Sequence, residues 1–169
     1  MKDHSVKILT VLSIALLVSC TVKQTGYHQN HVSHHETLSL PKDLSHLLTL
    51  EMQAINQGMM ELVPAIASAN WQEVAEIGSQ IKNSYIMHHR VSKQQRKTLH
   101  RILPKEFKIL DYQFHQLAGM LAHSAKMQKP ELVNFYFYKL NEACGECHSR
   151  YASSRFPGFS DSNHTGHQH

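Results

Sequence analysis

The chain has 169 residues, with 17 Lys and Arg against 13 Asp and Glu, 15 histidines and three cysteines. A formal charge of +4 at pH 7, without a basic stripe interleaved with aromatics, excludes nucleic acid as the expected partner. The length is enough for one domain with a real core.

In chain order, Lys2 and Lys7 bracket a short charged region, and Ile8 to Ser19 (ILTVLSIALLVS) follow without a charge. That run is shorter than the roughly 20 residues that cross a bilayer and suits the apolar region of a secretory signal peptide. A buried or membrane helix with an incidental cysteine is the competing reading, but the charged, apolar, small order is what the export machinery reads. The ending LVSC resembles a bacterial lipobox. The resemblance implies that residues 1–19 are removed and that Cys20 carries lipid. Thr21 stands where an Asp would resemble an inner-membrane retention signal, so a periplasm-facing anchor in the outer membrane is expected. Loss of Lys2, Lys7 and Asp3 leaves 150 residues and a formal charge of +3.

Residues 20–40 are polar and unpatterned, and read as a tether carrying His28, His31, His34 and His35. From Pro41 onward, apolar residues recur at helical spacing. The first segment opens at SLPKDL and places Leu48, Met52, Ile55, Met59, Leu62 and Ile66 on one stripe, with Pro64 expected to bend it. The second, NWQEVAEIGSQIKNSY, offers Asn70 as N-cap with Glu73 at the capping-box position, and a stripe of Val74, Ile77, Ile81 and Tyr85. The basic stretch from Ile86 to Leu103 is less patterned and reads mainly as a long connection, with room for a short helix from Ser92. A third helix is expected from Pro104, with Phe107, Leu110, Phe114, Leu117 and Leu121 on one face. A fourth is expected from Pro130, with Leu132, Tyr136, Leu140, Cys144, Cys147 and Tyr151 on its stripe. No segment reads as a strand. The expected fold is all-α, an antiparallel four-helix bundle over residues 41–153. Residues 154–169 form an irregular tail ending in His164, His167 and His169, with RFPGF packing on the body through Phe156 and Phe159.

With Cys20 assigned to lipid, Cys144 and Cys147 remain, in the stretch EACGECHSRY. A structural zinc site needs four protein ligands, and Cys144, Cys147 and His148 supply three. A thioredoxin-like pair wants a helix N-terminus beside a sheet, and this pair sits near the end of a long helix. Covalent haem c fits better, because C-x-x-C-H is the standard attachment pattern. The two cysteines lie one turn apart for thioether bonds, and His148 projects from the same edge toward the iron.

The motif stands in the last of four helices, and the chain resembles the cytochrome c′ family over about Pro41 to Tyr151. CGECHSRY carries the likeness through its His-x-x-aromatic. The resemblance implies a four-helix bundle, Cys144 and Cys147 as attachment residues and His148 as proximal ligand. One departure is that the family usually has Lys or Arg four residues after the ligand histidine, where this chain has Ala152. In the family a first-helix residue faces the open side of the haem. An aliphatic residue leaves the iron able to take small gases, and a methionine closes it. Aligning Pro64 with a proline of that helix puts Met52 there; Met59 and Met60 are its rivals, and a Met on an apolar stripe also serves as core filler. His115 and His123 could also reach inward.

The expected function is a monohaem single-electron carrier. The alternatives are a five-coordinate haem protein binding nitric oxide or carbon monoxide, and a lipoprotein handling metal through its histidine tails. No nucleophile–base pair, nucleotide loop or paired carboxylates point to an enzyme. The expected partners are haem, a redox protein and the membrane through the lipid anchor, with a homodimer left open.

Overall fold

A computed structural model describes residues 38–159, which belong to one compact unit. The signal peptide, Cys20, most of the tether and the C-terminal histidines lie outside the described residues. Among the described residues there are six α-helices, one 3-10 turn and no strand. They are α1 (Lys42–Ala67), α2 (Trp71–Lys82), α3 (Met87–Arg90), α4 (Lys93–Ile102), α5 (Lys105–Lys126), α6 (Pro130–Tyr151) and the turn Pro157–Phe159. The all-α expectation holds. None of these helices is long and apolar enough to cross a membrane.

Local chemistry sets the helix starts. Pro41 and Pro104 directly precede α1 and α5, and Pro130 opens α6, where its missing amide proton costs no hydrogen bond. Asn70 accepts from the Glu73 amide at 3.3 Å and donates to the Glu73 carboxylate at 2.7 Å. Ser92 and Gln95 make the reciprocal pair of bonds that starts α4. The stretch expected to be mainly a connection is thus largely helical, as α3 and α4. Its weak pattern reflects how little it buries: only Leu99 of α4 is fully inside.

Helix ends fall at residues in the left-handed region. Ala69, Ser84 and Gln128 have φ of 55°, 57° and 52°, just after α1, α2 and α5. The turn at Ser84 corrects the reach of the second helix. Tyr85 lies beyond its end, in the connection to α3, and not on its stripe.

α2 packs chiefly on α5, α5 also on α6, and α1 on α2, whereas α1 and α6 meet sparsely. Gly78 lets α2 and α5 approach closely, since a Cβ there would stand 3.1 Å from both the Ala118 carbonyl and the Ala122 amide. The main core joins Leu62, Val74, Ile81, Leu121, Val133 and Leu140. A second cluster gathers Leu44 and Leu47 at the start of α1 with Val91 and Leu99.

Two predicted stripes are rotated. On α1 the buried positions are Leu44, Leu47, Glu51, Ile55, Gly58, Leu62 and Ala65. Ile55 and Leu62 are shared with the expectation. Leu48, Met59 and Ile66 are half-buried on the flank, and Met52 is 36% exposed. The physical reason is Glu51, which takes an inward position because its carboxylate accepts from three backbone amides, those of Tyr85 (2.9 Å), Ile86 (2.6 Å) and Met87 (2.8 Å). A carboxylate buried at 2% exposure is tolerable when its lone pairs are so satisfied. On α6, Leu132 is exposed and Val133 takes the core position.

Candidate functional site

α6 carries the three motif residues on one arc. At about 100° per residue, Cys144, Cys147 and His148 fall within roughly 100° of each other, on the face that also holds Val133 and Leu140. Val133 and Leu140 are completely buried, but Cys144, Cys147 and His148 on the same face are only half-buried. α5 shows the same change. Ala118 and Leu121 are fully buried, while Leu110, Phe114 and His115, toward its start, are half-buried. The motif therefore lies where the inward face of α6, completely buried at Val133 and Leu140, is only half-buried.

Both cysteines are free thiols. Burial pushes the Cys144 thiol above its ordinary range. It pushes Cys147 up to about 11, with the charges of Asp111, Cys144 and Glu146 adding to the effect and Arg150 opposing it. Thiols held protonated at neutral pH are poor thiolate nucleophiles, which is the reverse of what a disulfide oxidoreductase needs.

His148 has its pKa lowered, first by burial and then by the positive charge of Arg155. The neutral imidazole is the form that ligates metal. Its ring is stacked on Phe156, centroids 4.5 Å apart and planes inclined by 12°. The chain after α6 doubles back to place that ring. The Arg155 and Phe156 amides both donate to the Ala152 carbonyl, at 2.9 and 3.2 Å. The Phe159 ring then comes within 3.9 Å of where a Cβ on Gly145 would stand. The expectation that RFPGF packs through its two phenylalanines is met, and on the motif itself. Tyr151 meets Phe107 edge to face at 5.2 Å, joining the end of α6 to the start of α5.

His115 is committed elsewhere. One ring nitrogen lies 2.7 Å from the Ile81 carbonyl, and the other lies 3.4 Å from the Ser84 hydroxyl and 3.6 Å from Asp111. Burial opposes its charge, but the bond to Asp111, that residue's charge, the Ile81 carbonyl and Glu51 together raise its pKa. Sequence reading missed Glu51 altogether. A single acidic residue on an apolar stripe, at i−4 from Ile55, is the only signal it leaves. Tyr85, expected on the α2 stripe, instead has a buried hydroxyl with no partner among the described residues, packed where a side chain at Gly58 would otherwise be. No cluster of three or more His, Cys, Asp or Glu among the described residues could hold a bare metal ion.

No family model, no curated protein and no solved structure matches this chain.

Proposed function

We propose that the protein is a monohaem c-type cytochrome, a single-electron carrier of the bacterial envelope held to the membrane by lipid on Cys20. The observation behind it is the α6 arc. Two protonated thiols one turn apart and a neutral imidazole share a face whose burial is complete at Leu140, one turn before Cys144, and partial at the motif. A bare ion needs several converging donors. A haem needs one nitrogen on its iron and two thiols at its rim, which is the donor set this face offers.

In this reading Cys144 and Cys147 would hold the group by thioether bonds, and His148 would supply a nitrogen to its iron. Bound iron supplies the one-electron couple. Phe156 fixes the plane of the imidazole and covers one of its faces. α1, α2, α5 and α6 then form the antiparallel four-helix bundle of the cytochrome c′ resemblance, with α4 as an addition to it. Met52 is the candidate sixth ligand, on the flank of α1 shared with Leu48, Ile55 and Met59.

A second reading is favoured by one observation. Met52 is 36% exposed, beside an inward position already taken by Glu51. If its sulfur stays on that flank, the iron keeps an open position and binds small gases. Two measurements test these readings. Haem staining that survives denaturation should be present after expression with c-type maturation factors and absent in Cys144→Ser/Cys147→Ser. An absent stain in the parent overturns the haem reading itself. The absorption spectrum of the oxidised and reduced protein then separates low-spin His/Met iron from high-spin open iron.

A further inference from the structure

Positive charge is concentrated at one end of the body. Residues 90–108 carry seven Lys and Arg against one acid, Glu106, whereas the other described residues carry seven Lys and Arg against nine Asp and Glu. Six of the seven, Arg90, Lys93, Arg96, Lys97, Arg101 and Lys105, are exposed. None of these six makes an ion pair with another described residue. α4 shows why they point outward. Leu99 is buried against Leu44 and Leu47, and Lys97 and Arg101 lie on the opposite side of the helix, about 160° away.

This basic end is also where the chain enters. Leu40 packs on the Leu44 cluster, Gln95 bonds Asp43 at 2.8 Å, and the end of α6 is tied in through Tyr151 and Phe107. Only 17 residues separate Cys20 from Leu38, a length that reaches roughly 60 Å at most. Lipid on Cys20 would thus keep the body within that distance of the bilayer, with the tether leaving from its basic end, and the charge decides which end faces the surface.

We propose that α3, α4 and the start of α5 form an electrostatic docking face for anionic phospholipid, so that the body rests on the membrane with its basic end down. The face binds by charge and not by insertion. Each Lys or Arg near an anionic surface strengthens adsorption about fivefold, and the effect fades within a Debye length. The inference is independent of haem, and the charge argument stands without the acyl group.

The test uses the full chain carrying Cys20→Ala, so that acyl insertion contributes nothing, with vesicles of phosphatidylethanolamine containing either phosphatidylglycerol or phosphatidylcholine. Co-sedimentation should favour the phosphatidylglycerol vesicles and disappear at about 0.5 M salt, where the Debye length is only a few ångströms. Arg96→Glu/Lys97→Glu/Arg101→Glu should weaken binding about a hundredfold or more. The milder Arg96→Gln/Lys97→Gln/Arg101→Gln serves if the reversal fails to fold, its helicity being checked by circular dichroism. Equal binding to both vesicle types, or parent-like binding by a folded triple variant, overturns the proposal. So does indifference to vesicles with retained binding to an acidic protein such as polyglutamate, which would assign the face to a protein partner.

Discussion

His148 lies flat on Phe156, with ring centroids 4.5 Å apart and planes 12° from parallel. The stack covers one face of the ring, and burial is the first cause of the lowered His148 pKa, so the His148 titration should depend on Phe156. In Cys144→Ser/Cys147→Ser, where haem cannot attach, Phe156→Ala should move the His148 pKa back up toward its ordinary value of 6.5. NMR titration of the ring protons measures it. A folded pKa below the unfolded one adds stability above about pH 6.5 that is lost as pH falls through the folded value. The acid-side loss of stability should therefore be smaller in the Phe156→Ala background. An unchanged His148 pKa would show that Phe156 does not cover the ring in solution.

Glu51 holds the junction of α2 and α3 to α1 through three amides. Glu51→Ala leaves all three donors without their acceptor, and should cost about 3–4 kcal/mol, each unsatisfied buried donor being worth roughly 1–3 kcal/mol with partial relief from water. Glu51→Gln keeps one acceptor oxygen and should cost about half as much. Urea midpoints of the two variants against the parent check the order. If Glu51→Ala proves as stable as the parent, the clamp is not a structural element.

What was legible in the sequence and what was not divides along the same line. Signals made within a few residues came through, because Asn70 with Glu73, Ser92 with Gln95, and Pro41, Pro104 and Pro130 act locally. The CGECH spacing also came through, since i and i+4 on a helix share a face by geometry alone. The phase of α1 did not. Its apolar residues admit two stripes sharing Ile55 and Leu62, and the choice depends on Glu51 reaching amides more than thirty residues away. Leu132 and Val133 pose the same ambiguity, resolved only by what α5 presents. The half-burial of the motif face is a tertiary fact with no local signature.

Gln128 ends α5 at a φ of 52°, where a side chain is strained and glycine is not. Gln128→Gly should raise stability by about 1 kcal/mol, as removal of a left-handed non-glycine residue does when nothing else is lost. Its chemical denaturation midpoint should exceed that of the parent with an unchanged slope. A lower midpoint would mean that the Gln128 side chain contributes more than the strain costs.

His115 should give the stability an alkaline limb. Its folded pKa is raised, so its contribution is full below the ordinary value of 6.5 and is lost as pH rises through the folded value. The parent should lose stability between pH 6 and 9 by an amount that His115→Gln does not show, because glutamine can keep the bond to the Ile81 carbonyl without titrating. Denaturant midpoints at both pH values decide it. Parallel pH profiles for the two proteins would place the charge elsewhere.

Met52 bears on what the iron would do. On α1 it stands next to the clamped Glu51 and three residues before the buried Ile55, on the flank with Leu48 and Met59. Methionine has three rotatable side-chain bonds, so its sulfur can swing inward without any turn of the helix. Thioether ligation opposite His148 would stabilise reduced iron and raise the potential. The haem-loaded parent should then be low-spin in both redox states and bind carbon monoxide slowly. Met52→Ala should convert it to a high-spin species that binds carbon monoxide rapidly. Glu51→Gln should leave the spectrum low-spin, since Glu51 serves the α2–α3 junction and not the iron. A parent that is already high-spin and takes carbon monoxide at once would remove Met52 from the coordination sphere. The open-iron reading, with its affinity for small gases, would then replace electron transfer as the function.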